Sequence, residues 1–388
     1  CDLTGTCLRL LEDLAQGIFH GIAKLAELQE AHPDTQINTR AQQQCQHRLQ
    51  CIRQDDHRCQ RTAKGAVEVG KTGISAAMLS NILFIEQFCH HHEGELAPGL
   101  IVLELWQKAL ISAIFGLVDA SGARQFREVF FVVARKNGKT LLAAAIAAYC
   151  TFLDGEYGGR IYFTAPKLDQ AALCFDAYYQ MICQEPELSK LVQKRRTDVY
   201  VAQSNSSAKP LAFSAKKSDG LNVSLAIADE CASWAGDQGL KFYEVIKSSF
   251  GARRQPLLLA MSTSGYINDG IYDELMKRST AFLLGNSEER RLLPILYIID
   301  DPSKGDDHEE LKKSNPNMGV SVSADFFIEE IAIAKNSLSK RAEFMVKYCN
   351  IKQNSTQAWI PYDIVDSVCQ EAFTLEDFRS SYCVGGID

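Results

Sequence analysis

The sequence has no run approaching the ~18 apolar residues needed to cross a membrane. It also opens without the charged-then-apolar leader of an exported chain. Both absences lead to the expectation of a soluble, unexported, cytoplasmic protein without a membrane partner. A cysteine framework is missing too. The 13 Cys are scattered through apolar runs, as at Cys150, Cys174, Cys183 and Cys349, which suits buried thiols in a reducing compartment. One cluster, Cys45, His47, Cys51, His57 and Cys59, matches no common zinc spacing. Cys89-His90-His91-His92 reads as a solvated helix end. Positive charge is scarce: 41 Lys and Arg stand against 48 Asp and Glu, a net charge of −7. That disfavours a protein coated for tight, constitutive binding to duplex phosphates. Local contact stays open, and Lys194-Arg195-Arg196, Lys216-Lys217 and Arg253-Arg254 are the basic spots.

What the sequence does have is one organising stretch, residues 127–149, REVFFVVARKNGKTLLAAAIAAY. Residues 128–133 are rich in β-branched and aromatic side chains and read as a buried strand, while residues 141–149, mostly Ala and Leu, read as a helix. Between them lies Arg135-Lys136-Asn137-Gly138-Lys139-Thr140. A loop from a strand into a helix N-terminus wraps phosphates in backbone N–H groups, with a Lys on the β- and γ-phosphates and a Thr hydroxyl on Mg²⁺. Lys139 and Thr140 are placed for those roles, so ATP with Mg²⁺ is the expected ligand. The plainer reading is a turn with a solvated Lys. The loop departs from the pattern G-x-x-x-x-G-K-[ST], because Val133 stands where the first Gly belongs. A complete match occurs at Gly65-Ala66-Val67-Glu68-Val69-Gly70-Lys71-Thr72. The polar segment ahead of it, residues 59–64, is unfit for a core strand, so context favours the imperfect loop.

At 388 residues, 46% of them hydrophobic, the chain can bury a large core and hold two or more units. It starts at Cys1 and stops at Asp388 within an apparent strand, and so reads as a piece of something longer. The divisions expected are a helical, partly polar region over 1–75, an α/β domain over 76–355, a linker over 356–380 and the start of another domain over 381–388. Residues 74–88 read as a helix, and Trp106-Gln107 lies where another helix starts, just ahead of the loop strand. There Gln107 can offer its amide to an adenine edge with Trp106 beside it, or Trp106 can be core and Gln107 solvated. Residues 160–164 read as a strand, 169–185 as a helix, and 198–202 and 211–214 as short strands.

The apolar run 223–228 leads straight into Asp229-Glu230. That places two carboxylates at the carboxyl edge of a parallel sheet, where ligands of doubly wound folds bind. Asp229 can hold Mg²⁺ through water, and Glu230 can polarise the water that attacks the γ-phosphate. A strand over 256–261 ends in Ser262-Thr263-Ser264-Gly265. If it is inserted between the two motif strands, its polar tip senses the γ-phosphate; a Ser/Thr turn closed by Gly is the plainer reading. Residues 292–299 read as another strand and 325–334 as an amphipathic helix. The expected fold is a P-loop NTPase: an α/β, mostly parallel sheet with helices on both faces.

Taken in order, Leu105-Trp106-Gln107, the deviant loop 135–140, residues 165–171, Asp219-Gly220-Leu221-Asn222, Asp229-Glu230, residues 253–257, Ser262-Thr263-Ser264-Gly265, Ser314-Asn315-Pro316-Asn317, Asn350-Ile351, Ala358-Trp359-Ile360-Pro361 and Gly385-Gly386-Ile387-Asp388 resemble the large terminase subunit of tailed bacteriophages. The resemblance runs from about residue 82 to 388; residues 1–75 match poorly, and Ser262-Thr263-Ser264 is a loose version of the family's Thr-rich coupling motif. It implies a motor that packages double-stranded DNA into the procapsid, partnered by the small terminase subunit and the portal, in a ring of copies. It accounts for Val133, since the family's loop lacks the first Gly and carries a basic residue instead. It implies that Arg135 contacts phosphate and helps trigger hydrolysis, and that Arg253 or Arg254 serves a neighbouring subunit. It also makes Asp388 the first metal-binding residue of an RNase H-like nuclease that uses divalent ions, truncated here after its first strand. The alternatives are a helicase-like P-loop ATPase, disfavoured by Gly-Gly-Ile-Asp388, and a prophage remnant that binds its partners without turnover, disfavoured by the intact Lys139, Thr140, Asp229 and Glu230.

Overall fold

The computed structural model describes residues 66–69, 72–75, 77–154, 156–213, 220–266 and 269–353. Strands β1 (Ala66–Val69) and β2 (Thr72–Ser75) pair antiparallel, followed by helices α1 (Ala77–Phe88) and α2 (Leu105–Gly116). Directly after α2, β3 (Leu117–Val118) pairs with β2. The main domain then runs β4 (Glu128–Val132), α3 (Lys139–Phe152), β5 (Arg160–Ala165), α4 (Leu168–Gln184), α5 (Pro186–Ser189), β6 (Val192–Lys194), β7 (Val199–Val201), β8 (Ser206–Ala212), β9 (Leu225–Ala228), α6 (Gly236–Ser248), β10 (Leu257–Ser262), α7 (Ile271–Leu283) and β11 (Leu292–Leu296). Three helices follow, α8 (His308–Ser314), α9 (Ala324–Lys335) and α10 (Leu338–Lys347).

The main sheet has eight strands in the order β11-β4-β10-β9-β5-β8-β7-β6. The first six are parallel and the last two antiparallel. A parallel strand covered on both faces must be apolar throughout, and all five residues of β4 are buried. Its side chains alternate between two cores. Val129 and Phe131 face the cluster shared by α1 to α4, whereas Phe130 and Val132 face the one shared by α6 and α7. The run Ala143 to Ala148 in α3 is almost wholly buried; its small side chains let that helix lie close to the sheet and to α4. A third, smaller core formed by Leu311, Phe327, Phe344 and Tyr348 joins α8 to α10. The expected α/β P-loop fold with helices on both faces is therefore present.

Ion pairs occupy the amino edge of the sheet. Glu128, at the start of β4, accepts from Tyr243 Oη at 2.7 Å and from both Nη atoms of Arg278 at 2.8 Å, with Lys247 Nζ at 3.3 Å. This pins α6 and α7 to the foot of the central strand.

Several boundaries differ from expectation. Helix α1 starts at Ala77, and the described end of the region expected to be helical, 66–75, is strand. Residues 1–65, the linker expected over 356–380 and the nuclease start over 381–388 lie outside the described residues. Strand β8 begins at Ser206, ahead of the short strand expected over 211–214, because Ser206 pairs with Val201 and Ser207 with both Tyr200 and Arg160, so backbone partners outweigh the turn preference of Ser. Among the described residues no helix is long and apolar enough to cross a membrane.

Candidate nucleotide site

Strand β4 delivers the chain to the carboxyl edge of the sheet, where Val133 N still donates to Ser262 O at 3.2 Å. The loop then turns through two left-handed residues, Lys136 (φ 70°) and Gly138 (φ 75°), into α3. Such a φ costs Gly nothing and other residues about 1 kcal/mol or more. Gly138 is the N-cap of α3 and no side chain caps it. The first-turn N–H groups therefore lie at the positive end of the helix dipole without intrahelical partners, a ready anion site. Lys139 and Asn137 are buried, Thr140 is half-buried, and Arg135 and Lys136 are exposed.

The carboxylates arrive on the second strand away. Lys139 Nζ donates to Glu230 Oε1 at 2.7 Å. The other oxygen, Oε2, accepts from Thr263 Oγ1 at 3.3 Å. Glu230 has a φ of 50°, a strained value of the kind that concentrates at functional sites. Asp229 Oδ1 accepts from Glu230 N at 2.9 Å, and Asp229 O from Trp234 Nε1 at 2.9 Å. Loss of hydration pushes the Asp229 carboxyl above its ordinary value, the charge of Glu230 adds to this, and Lys139 opposes it.

Strand β10 lies between β4 and β9, so its tip comes up between the loop and the carboxylates. Thr263 is the tip residue that touches Glu230. Ser262 is fully buried; its hydroxyl donates to Thr263 O at 2.6 Å and accepts from Ala232 N at 2.9 Å, bracing the turn after Glu230 instead of facing the loop. Ser264 N donates to Asn350 Oδ1 at 3.0 Å, and Asn350 Nδ2 to Tyr297 O at 2.7 Å.

Trp106 is half-buried at the margin of the core, its ring 6.0 Å from Phe131 and 5.6 Å from Tyr297. Gln107, however, is buried and not solvated. Its Oε1 accepts from Glu104 N at 2.9 Å in a capping box at the start of α2, and its Nε2 lies beside Gly138. The segment Ser314-Asn315-Pro316-Asn317 also lies against the loop. Ser314 O accepts from Ala134 N at 3.2 Å and Asn315 Oδ1 from Asn137 Nδ2 at 3.1 Å, while Asn317 N donates to Asn137 Oδ1 at 2.9 Å. Its residues alone suggest no role; the available signal is a cluster of hydrogen-bonding side chains around a Pro at a helix end, which when buried must find backbone or side chains outside the regular ladders.

Other candidates lie elsewhere. Arg253 is held at the amino end of β10, with Nη1 at 3.1 Å from Glu156 and Nη2 at 2.7 Å from Gly158 O, and Arg254 Nη2 donates to Ser121 O at 3.3 Å. In the complete match to the phosphate-loop pattern, Thr72 opens a strand paired with Val69, not a helix; Lys71 is outside the described residues, as are Lys216, Lys217, the cluster from Cys45 to Cys59, and Asp388. His90 is no solvated end, since its ring meets Pro98 O at 2.8 Å and Glu185 at 3.2 Å.

Comparison with known proteins agrees with this geometry. A family model described as the terminase large subunit, ATPase domain, matches residues 105–280. The chain is 31% identical to the large terminase subunit of Enterobacteria phage HK97 over 185 residues, 47% of this chain and 36% of that protein. It is 30% identical to protein YmfN of Escherichia coli (strain K12) over 173 residues, 45% of this chain and 37% of that protein. The chain thus spans just over a third of the length of these relatives. The crystal structure of the HK97 bacteriophage large terminase shares the fold, with a TM-score of 0.61 at 24% identity over 71% of this chain and 55% of that one. With the loop, the paired carboxylates and the inserted strand on one edge of this sheet, residues 105–280 belong to the ATPase domain family of terminase large subunits.

Proposed function

We propose that this chain is the motor part of a terminase large subunit from a tailed phage or prophage. It hydrolyses ATP and couples that to movement of double-stranded DNA into a procapsid. The observation that carries the reading is the 2.7 Å contact of Lys139 with Glu230, which joins a phosphate-binding lysine to a water-activating carboxylate 91 residues further on.

With ATP over the loop, the N–H groups at the start of α3 and the Lys139 ammonium take the phosphates. Lys139 leaves Glu230 to do so, which frees Oε1 while Thr263 retains Oε2. The carboxylate so held orients a water for in-line attack. Arg135, exposed at the loop, offsets the charge that builds on the γ-phosphate. Thr140 and Asp229 fit Mg²⁺ by their chemistry: a hydroxyl in the first turn of α3, and a carboxylate whose ionisation its surroundings disfavour, a cost that a nearby dication would relieve. Bound there, Mg²⁺ supplies neutralisation of phosphate charge. Gln107 Nε2 is the donor available to the base. Ser262, Thr263 and Ser264 couple the site to the helices beyond, Thr263 through Glu230 and Ser264 through Asn350. The small terminase subunit, the portal and a ring of copies are the partners, and Asp388 belongs to a metal-dependent nuclease that cuts the DNA.

The test is Mg²⁺-dependent ATP hydrolysis, with and without duplex DNA, by the wild type and three variants. Lys139→Ala abolishes nucleotide binding, Glu230→Gln binds ATP but loses ~100-fold or more in turnover, and Lys71→Ala retains activity. Loss of turnover in Lys71→Ala would move the site to the other loop. A wild type without Mg²⁺-dependent turnover, with or without DNA, would sink the motor reading.

A further inference from the structure

Three buried carboxamides meet behind the loop: Asn137 and Asn315 are each 1% exposed and Asn317 6%. Leaving such groups without partners costs several kcal/mol, and here all three are bonded. Asn137 Oδ1 accepts from Asn317 N at 2.9 Å, while its Nδ2 donates to Ala134 O and to Asn315 Oδ1, both at 3.1 Å. Asn315 Nδ2 in turn donates to Leu311 O at 3.0 Å and to Tyr348 O at 2.8 Å, which anchors the group to the ends of α8 and α10. The shape of the loop is thus set by residues about 180 positions away.

Asn317 does more than brace. Its Oδ1 accepts from Trp106 Nε1 at 2.7 Å, which fixes which end of the carboxamide points where and turns Nδ2 toward Gly138. A Cβ on Gly138 would lie 3.9 Å from Asn317 Nδ2 and 4.0 Å from Gln107 Nε2. Two amide N–H₂ groups from different elements therefore converge on the glycine that precedes Lys139. Among the described residues, Asn317 Nδ2 meets an acceptor only at the 3.5 Å limit, Asn137 O. Two strong donor groups facing one spot with so little to accept from them suit an acceptor-rich ligand.

We propose that Asn317 is a nucleotide-site residue: its N–H₂ group, oriented by Trp106, donates with Gln107 to an acceptor atom of the bound nucleotide, while its backbone N–H holds the loop in shape through Asn137. This rests on the loop being the ATP site. Asn317 lies beyond residues 105–280, so the site draws on chain outside the matched family domain.

Equilibrium binding of Mg·ATP, turnover and melting temperature, measured on the full chain and its variants, test it. Asn317→Asp keeps the acceptor for Trp106 and the backbone bond to Asn137 but replaces the donor by an oxygen. The expected result is a Kd raised tenfold or more, saturated turnover within about threefold of wild type, and a nucleotide-free melting temperature lowered by no more than a few degrees, because a carboxylate oxygen replaces the donor that faces Asn137 O. Trp106→Phe keeps the ring and frees Asn317 to rotate, with an expected Kd about threefold higher. Wild-type affinity in Asn317→Asp overturns the proposal. Should that variant fail to fold, Trp106→Phe decides, and an unchanged Kd there overturns it equally. A wild type that binds no Mg·ATP removes the ATP-site reading itself and this proposal with it, an outcome distinct from normal wild-type binding with unaffected variants.

Discussion

Asp229 stands where its ionised form is least stable. Its folded carboxyl is raised above the ordinary aspartate value, chiefly by lost hydration and then by Glu230. Between the ordinary and the raised value the folded chain holds a proton that the unfolded chain has lost, so stability falls as pH rises through that window. At neutral pH the charge works against the fold and, in the proposed site, would work for Mg²⁺. Asp229→Asn is therefore expected to raise the nucleotide-free melting temperature at pH 7 by a few degrees, about what 1 kcal/mol does in a domain of this size, while abolishing Mg²⁺-dependent turnover. The gain should vanish below the ordinary aspartate range, where both chains are neutral at this position. A melting difference that does not change with pH would show that the cause is not charge.

Among the elements, β4 depends on Glu128 at its foot. Burial alone would raise this carboxyl, but the hydrogen bonds and charge of Arg278, with Lys247 and Tyr243, hold it below the usual glutamate value. Its stabilisation is thus complete above the ordinary glutamate range and is lost as pH falls through the lowered folded value. Glu128→Ala would leave Arg278 and the Tyr243 hydroxyl facing an empty place, at a cost of ~3–5 kcal/mol. Denaturant unfolding should show it, with Glu128→Gln less damaging because the amide oxygen still accepts. The strands that carry the site were legible because buried parallel strands are unbroken apolar runs, and β4, β9 and β10 each end in a polar tip. Helices α6 and α7 were not, since their buried faces are only Phe242, Tyr243 and Ile246 and a few positions of α7 among many polar residues. Asn315 and Asn317 were recognisable as a motif but not as loop supports, because nothing local to them encodes a partner 178 to 180 residues earlier. The surroundings of Trp106 and Gln107 were hidden for a similar reason: adjacent on a helix, they pack against different partners.

For the whole molecule, the eight-stranded sheet raises the question of what closes its two ends. On one side β6 is only three residues long, with Gln193 and Lys194 exposed. On the other, Arg291 O accepts from β4 and Tyr297 N donates to it, all five residues of β11 are buried, and Pro294 in its middle has no N–H to donate. Among the described residues, neither border offers a long open edge to another strand. Pro294→Val is expected to sediment as the wild type does even at high protein concentration, since every residue of β11 is already covered; new self-association would show that Pro294 itself guards this border. In the proposed ring, copies crowded around a common axis would thereby be kept from zipping into one continuous sheet. Such a ring would be held by helix faces and loops, contacts that can be made and released without unravelling the sheet itself.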